Sequence, residues 1–209
     1  MHSQNLEEQY ILEYFGVYNG TFLSIGENDG ETFSNVRALA LKGWRGVCVE
    51  PSPKAFERLE KLYKDNKGVY CYPYAIGNHN GAEVLKQSGA LCSTSDVGLV
   101  STFDAKEPER WKRHQVPGTT HRGVEFEDVA VKMFRWKTFY NRLKIKTFDF
   151  VSIDCEGFDL DILKQMDVTD VKCICLEWNG KPELKEAFDK QLGGFKVIYT
   201  SGENLIYAR

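Results

Sequence analysis

Phe22-Leu23-Ser24-Ile25-Gly26-Glu27-Asn28-Asp29-Gly30 is the stretch that decides the fold. A short apolar run stops at Gly26, and Phe33 to Leu41 then takes helical spacing until Lys42-Gly43 closes it. The pattern is strand, glycine-rich turn, helix, and it repeats. Gly46-Val47-Cys48-Val49 reads as a second buried strand ending at Glu50-Pro51, and Pro53 opens a helix over Lys54 to Tyr63. A third strand is expected over Val69 to Tyr74. Two βα units joined by short connections predict a parallel sheet covered by helices on both faces.

The rhythm continues outward. Val129–Phe134 and Phe148–Ile153 read as strands, Leu160–Met166 as a helix, and Val171–Leu176 as a further strand. A helix around Glu183 to Gln191 precedes two runs, Phe195–Thr200 and Asn204–Tyr207, flanking Ser201-Gly202-Glu203 as an antiparallel hairpin. Upstream, Leu6, Tyr10, Ile11 and Tyr14 give residues 1–18 an amphipathic helical segment. Residues from about 88 to 128 lack periodicity and read as an irregular insertion, of the kind that serves as a functional lid or is partly disordered, and the sequence does not decide between the two. The expected fold is therefore α/β and Rossmann-like: a mostly parallel sheet with a C-terminal antiparallel β-hairpin, in a single domain over 1–209.

Composition bounds the function. Hydrophobic residues make up 42% of the chain, enough for a sizeable core, and the net charge of -3 offers no field to attract phosphate backbones. Nucleic acid is not favoured as a partner. No apolar run is long enough to span a bilayer, and Met1 to Glu8 is polar, so membrane association is not expected and a cytoplasmic location is. Of six cysteines none forms a Cys-x-x-Cys pair; Cys48, Cys71, Cys173 and Cys175 fall in strand-like runs, as expected of reduced core residues. Oligomeric state is not encoded in any pattern.

The chemistry gathers at the carboxyl ends of the strands, the edge where open α/β sheets bind ligands. Gly26 and Gly30 let the backbone bend and approach a ligand. Glu27 and Asp29 would repel a pyrophosphate there, and no Gly-x-Gly-x-x-Gly fingerprint is present. S-adenosylmethionine carries a sulfonium and an ammonium but no phosphate, so it suits this turn better than a dinucleotide. Asp29 is a candidate partner for its amino-acid end, and Glu50 a candidate acceptor for both ribose hydroxyls. The bland alternatives are plain turn glycines and a solvated carboxylate at a helix start.

Phe22 to Gly30, Phe33-Ser34-Asn35, Gly43 to Pro51, Ala75-Ile76-Gly77 and Val151-Ser152-Ile153-Asp154-Cys155-Glu156-Gly157 together resemble the FkbM family of methyltransferases. In that family the Asp-x-Glu-Gly segment closing the fourth strand is a hallmark. The resemblance implies S-adenosylmethionine as cofactor and methyl transfer to a hydroxyl of a sugar, glycan or related small molecule. It places Gly26, Glu27, Asn28, Asp29, Gly30, Ser34, Asn35, Glu50, Pro51, Ala75, Ile76 and Asp154 at the cofactor. Where the family usually has an acidic residue near the end of the first strand and alanine after the glycine, this chain has Ser24 and Glu27.

Methyl transfer asks the protein to align an acceptor and handle its proton. Asp154 is the first candidate for that role and Glu156 the next, against a purely structural reading as helix-capping carboxylates. His114 and His121, in the insertion, are candidate general bases. Asp154, Glu177 and Asn179 could together hold a divalent cation, as in catechol-type O-methyltransferases; metal dependence is not favoured. Ser93-Thr94-Ser95 stands where the family often has paired serines, against a plain polar turn, and the basic, aromatic Trp111, Lys112, Arg113 and Arg122 could favour a sugar-like or anionic acceptor, against a solvated loop. Competing readings are an N-methyltransferase, disfavoured because Asp-Cys-Glu-Gly replaces an Asn/Asp-Pro-Pro-aromatic motif, a catalytically silent binding module, and a nicotinamide-dependent oxidoreductase.

Overall fold

The computed structural model describes residues 1–88, 99–106, 108–109 and 125–209. His114, His121, the serine-rich segment at 93–95 and the aromatic and basic residues 111–113 and 122 lie outside them.

Five strands form the parallel body of the main sheet: β1 (Thr21–Ile25), β2 (Arg45–Val49), β3 (Val69–Tyr72), β7 (Phe150–Ile153) and β8 (Cys173–Glu177). Two more, β9 (Lys196–Thr200) and β10 (Asn204–Ala208), complete the order β3-β2-β1-β7-β8-β10-β9, and β10 runs antiparallel to both β8 and β9. The C-terminal hairpin is thus as expected. Chain order reverses between β1 and β7, which opens a crevice at their carboxyl ends.

The strands are apolar almost throughout because both faces are covered. Alternate side chains of β1 go to opposite sides: Leu23 and Ile25 join Val47, Val49, Val151 and Ile174 in one cluster, whereas Phe22 joins Cys48, Phe150 and Cys173 in the other. α1 (Glu7–Phe15), α2 (Arg37–Leu41) and α3 (Pro53–Tyr63) cover the second face through Ile11, Leu39 and Leu59. α4 (Trp136–Tyr140), α5 (Asp159–Leu163) and α6 (Pro182–Gln191) cover the first through Phe139, Ile162 and Phe188. Burying a side chain of this size stabilises by about 1.5–3 kcal/mol, so these rows dominate the core.

Three local differences from the sequence reading have physical causes. The helix expected from Phe33 begins only at Arg37: Phe33 is in left-handed backbone at φ +59°, and Ser34 Oγ accepts the N–H groups of Val36 and Arg37 at 3.2 and 2.9 Å. The third strand ends at Tyr72, before Pro73, and Ala75–Gly77 becomes β4 of a second sheet. In that sheet β4 and β5 (Gly81–Ser88) flank β6 (Phe126–Arg135). β5 had no apolar run to announce it, and β6 starts three residues earlier than Val129. The irregular insertion is therefore bracketed by an eight-residue antiparallel ladder from Gly81↔Met133 to Ser88↔Phe126.

No helix among the described residues is long and apolar enough to cross a membrane. Cys48, Cys71, Cys155, Cys173 and Cys175 are free thiols.

Candidate active site

A crevice of about 860 Å³ lies along the carboxyl ends of β1, β2, β7 and β8, within the range of cavities that enclose a small-molecule cofactor. Its floor is the Gly26 turn. The N–H groups of Gly26 and Glu27 both reach Val49 O, at 2.9 and 3.1 Å, which ties the end of β1 to that of β2. Gly26 is at φ +82°, and a Cβ there would stand 1.7 Å from Asp154 O, so only glycine lets β1 and β7 close together. Gly30 serves differently: a Cβ would meet Leu59 and Leu62 of α3 at 2.7 and 2.9 Å, so this glycine permits helix packing and does not line the crevice.

Glu50, 7% exposed, accepts the N–H of Asn28 at 2.9 Å on one oxygen and the N–H of Ser52 at 2.7 Å on the other. Each carboxylate oxygen keeps a second lone pair for a ligand hydroxyl. Burial pushes its pKa from 4.5 to about 7 despite those donors. Glu27 is 4% exposed, and burial likewise raises it to about 7. It is held by Ser24 Oγ and Ser34 Oγ, which donate at 2.5 and 2.6 Å. The two departures from the family pattern, Ser24 and Glu27, are thus hydrogen-bonded to each other: Glu27 returns a carboxylate to the end of β1.

Asp29 does not line the crevice. Its carboxylate closes its own turn, accepting from the N–H groups of Glu31 and Thr32 and from Thr32 Oγ1 at 2.7–2.9 Å. In its place, Asn28 and Asn35 line the crevice, each with a buried side-chain oxygen that has no hydrogen-bond partner among the described residues. Asn35 is oriented by its amide, which donates to Ser152 Oγ at 3.2 Å. Buried acceptors without donors are groups that a ligand can satisfy, and an ammonium supplies such donors. Together with the carboxylates of Glu27 and Glu50, they fit a cationic nucleoside and repel a phosphorylated one. Pro51, Ala75 and Ile76 line the crevice as well.

The far wall is acidic. Asp154 follows β7, Glu156 lies in left-handed backbone at φ +48°, and Glu177 ends β8. Burial, reinforced by Glu7, lifts Asp154 from 3.8 to about 6. Burial and the neighbouring charges of Asp154 and Glu156 hold Glu177 well above the usual carboxylate range. Asn179 lines the same wall and donates to Glu177, whereas the third carboxylate that draws close to Asp154 and Glu177 is Glu156. Asp159, absent from the sequence candidates, is 3% exposed and lines the wall; burial and Asp154 raise it to about 8. Its signal, an acid in the first turn of a helix, is indistinguishable from an ordinary helix-start acid until the fold sets it beside Asp154. Phe103 and Phe158, edge to face at 5.9 Å, and Tyr74 give the wall an aromatic side.

Comparison with curated proteins finds no match. Among solved structures, the chain is similar to the methyltransferase FkbM from Methylobacillus flagellatus KT, at 10% identity and TM-score 0.53 over 91% of this chain and 44% of that one. It is also similar to a METTL16 methyltransferase domain, at 11% identity and TM-score 0.51 over 96% and 65% of the two chains. Monomeric WbdD gives 12% identity and TM-score 0.50 over 99% and 41%. These likenesses concern the fold; the chain spans less than half of the first of these structures. Residues 24–192, which hold every crevice carboxylate just described, match the family model for the methyltransferase FkbM domain, and the chain belongs to that family.

Proposed function

We propose that the protein binds S-adenosylmethionine in this crevice and transfers its methyl group to a hydroxyl oxygen of a sugar, glycan or related small molecule. The observation that carries the reading is the pairing, in one crevice, of buried carboxylates at the ends of β1 and β2 with the orphaned side-chain oxygens of Asn28 and Asn35.

Bound there, S-adenosylmethionine supplies a methyl carbon activated by a positive sulfur. Glu50, fixed by two backbone donors, accepts the ribose hydroxyls; Glu27, Asn28 and Asn35 meet the cationic amino-acid end. Asp154 accepts the acceptor's hydroxyl proton, and its pKa of about 6 keeps it ionised at neutral pH while leaving it more basic than an exposed aspartate. Oxygen as the methylated atom is supported by Asp154, a carboxylate in the crevice wall that is ionised at neutral pH and can take a hydroxyl proton. A sugar-like acceptor is supported by the aromatic side chains Tyr74, Phe103 and Phe158 beside the hydrogen-bonding groups of Asn179 and Lys181.

The test is product mass spectrometry after incubation with S-adenosylmethionine and a panel of sugars, glycans and matching amino-sugars. Methylation of a hydroxyl is expected. Products methylated only on nitrogen would replace the oxygen assignment, and donor binding without any product across the panel would favour a binding module.

A further inference from the structure

The residues before α1 reach across the crevice. Ser3 pairs in parallel with Phe33, the left-handed residue that precedes α2. Two residues on, Asn5 Nδ2 donates to Glu203 Oε2 at 2.9 Å, in the turn between β9 and β10. Phe33 on one lip and Gly202 and Glu203 on the other all line the crevice, and so does Gln4. The backbone therefore runs from lip to lip over residues 3–5, with Gln4 at the middle of the span.

Groups other than Gln4 anchor this span. The buried carboxylate of Glu7 accepts the Asn5 N–H at 2.8 Å and Asn5 Nδ2 at 3.1 Å. It also takes Ser201 Oγ and Asn204 Nδ2 at 3.1 and 3.2 Å, so α1 and the β9–β10 turn share one acceptor. Ser3 Oγ accepts the Glu8 N–H at 3.1 Å. Gln4 itself is exposed, and its side-chain amide has no hydrogen-bond partner among the described residues. Its neighbours fix its place at the crevice while its own two N–H donors stay open to a ligand.

We propose that Gln4 is a specificity-determining residue for the donor, its amide N–H groups holding the carboxylate at the amino-acid end of S-adenosylmethionine. That end carries a carboxylate beside its ammonium, and the groups that meet the ammonium offer the carboxylate nothing. The Glu27 carboxylate and the side-chain oxygens of Asn28 and Asn35 are acceptors; Asn35 Nδ2 already serves Ser152 and Cys175, and the Asn28 N–H serves Glu50. An anion set among acceptors needs donors from another element. The pairing of Ser3 with Phe33 brings the neighbouring Gln4 to the segment that carries Asn35. A neutral amide supplies those donors without repelling the ammonium and sulfonium, as a lysine would. The proposal rests on the nucleoside reading above and deepens it.

The experiment is calorimetric titration of the full chain with S-adenosylhomocysteine and with methylthioadenosine, which keeps the nucleoside and the thioether but lacks the amino-acid end. Gln4→Ala should weaken S-adenosylhomocysteine by about tenfold, the worth of a hydrogen bond to a charged group, and leave methylthioadenosine within about twofold. Its Tm should stay within about 2 °C of the parent, because the side chain is exposed. Gln4→Glu sets a carboxylate against a carboxylate and should weaken S-adenosylhomocysteine at least as much. Parental affinity for S-adenosylhomocysteine in Gln4→Ala, or an equal loss for both nucleosides, would overturn the proposal. So would tighter binding of S-adenosylhomocysteine by Gln4→Glu, which would set the ammonium and not the carboxylate beside this side chain. The two readings fail differently: a parent that binds neither nucleoside sinks the nucleoside reading and this one with it, whereas a parent that binds both, with Gln4→Ala unchanged, sinks the Gln4 assignment alone.

Discussion

Replacing Glu50 by alanine should uncouple cofactor binding from folding in a way that depends on pH. In the folded chain Glu50 holds two backbone N–H groups and offers two oxygens to a ribose. Hydrogen bonds to a charged group contribute about 1.5–3 kcal/mol each and do not add fully. Losing both ribose contacts should therefore weaken nucleoside binding by about 3 kcal/mol, on the order of a hundredfold. For folding, two terms oppose. Leaving the Asn28 and Ser52 N–H groups without an acceptor costs roughly 1–3 kcal/mol each. Removing a buried acid whose pKa stands at about 7 instead of 4.5 returns about 3 kcal/mol at a pH above 7. The variant should be within about 2 kcal/mol of the parent at pH 8 and clearly less stable at pH 5.5, where the parental carboxyl is neutral. Calorimetric titration with S-adenosylhomocysteine at pH 8, with thermal unfolding at both pH values, reads each term. Nucleoside affinity within threefold of the parent would refute the assignment, and a stability gap that widens with rising pH would refute the energetics.

The same sign applies to the ligand-free parent. Glu27, Glu50, Asp154 and Asp159 all titrate above their unfolded values, so the folded chain holds more protons than the unfolded one between about pH 4 and 8. Its Tm should fall as pH rises from 5 to 8; a flat or rising Tm by calorimetry would contradict this. Gly26→Ala should destabilise by more than about 3 kcal/mol in denaturant titrations, because both φ and the Asp154 carbonyl forbid the methyl. Gly157→Ala, at φ +108° with nothing within 4 Å, should cost only the backbone strain of about 1–3 kcal/mol; equal losses would show that the close approach is unimportant. Asp154→Asn should lower kcat by roughly 10²–10⁴-fold while S-adenosylhomocysteine binds within tenfold of the parent; an unchanged kcat would remove Asp154 from proton transfer.

What could be read in the sequence was whatever local periodicity encodes. Buried parallel strands are continuous apolar runs, so β1, β2, β7 and β8 and the residues at their ends were visible, and with them Gly26, Glu50, Asp154 and Glu177. Of the small second sheet only the Val129–Phe134 part of β6 was: Gly81–Ser88 alternates charged and apolar residues weakly and gains its identity only by pairing with β6. Gly30 was visible as a glycine, but not that Leu59 and Leu62 are what require it. Asp29 and Glu27 are equally acidic in sequence; the turn consumes one carboxylate internally and leaves the other buried at the crevice. Asp159 and the closeness of Glu156 to Glu177 depend on register between distant strands, which no single-chain pattern carries.

A cationic, phosphate-free nucleoside should occupy the crevice between the Gly26 turn and Glu50. A crystal structure grown with S-adenosylhomocysteine tests it most directly. Density is expected with its ribose on Glu50 and its amino-acid end toward Asn28 and Asn35; a nucleoside lying elsewhere, or none in the crevice at saturating concentration, would overturn this assignment.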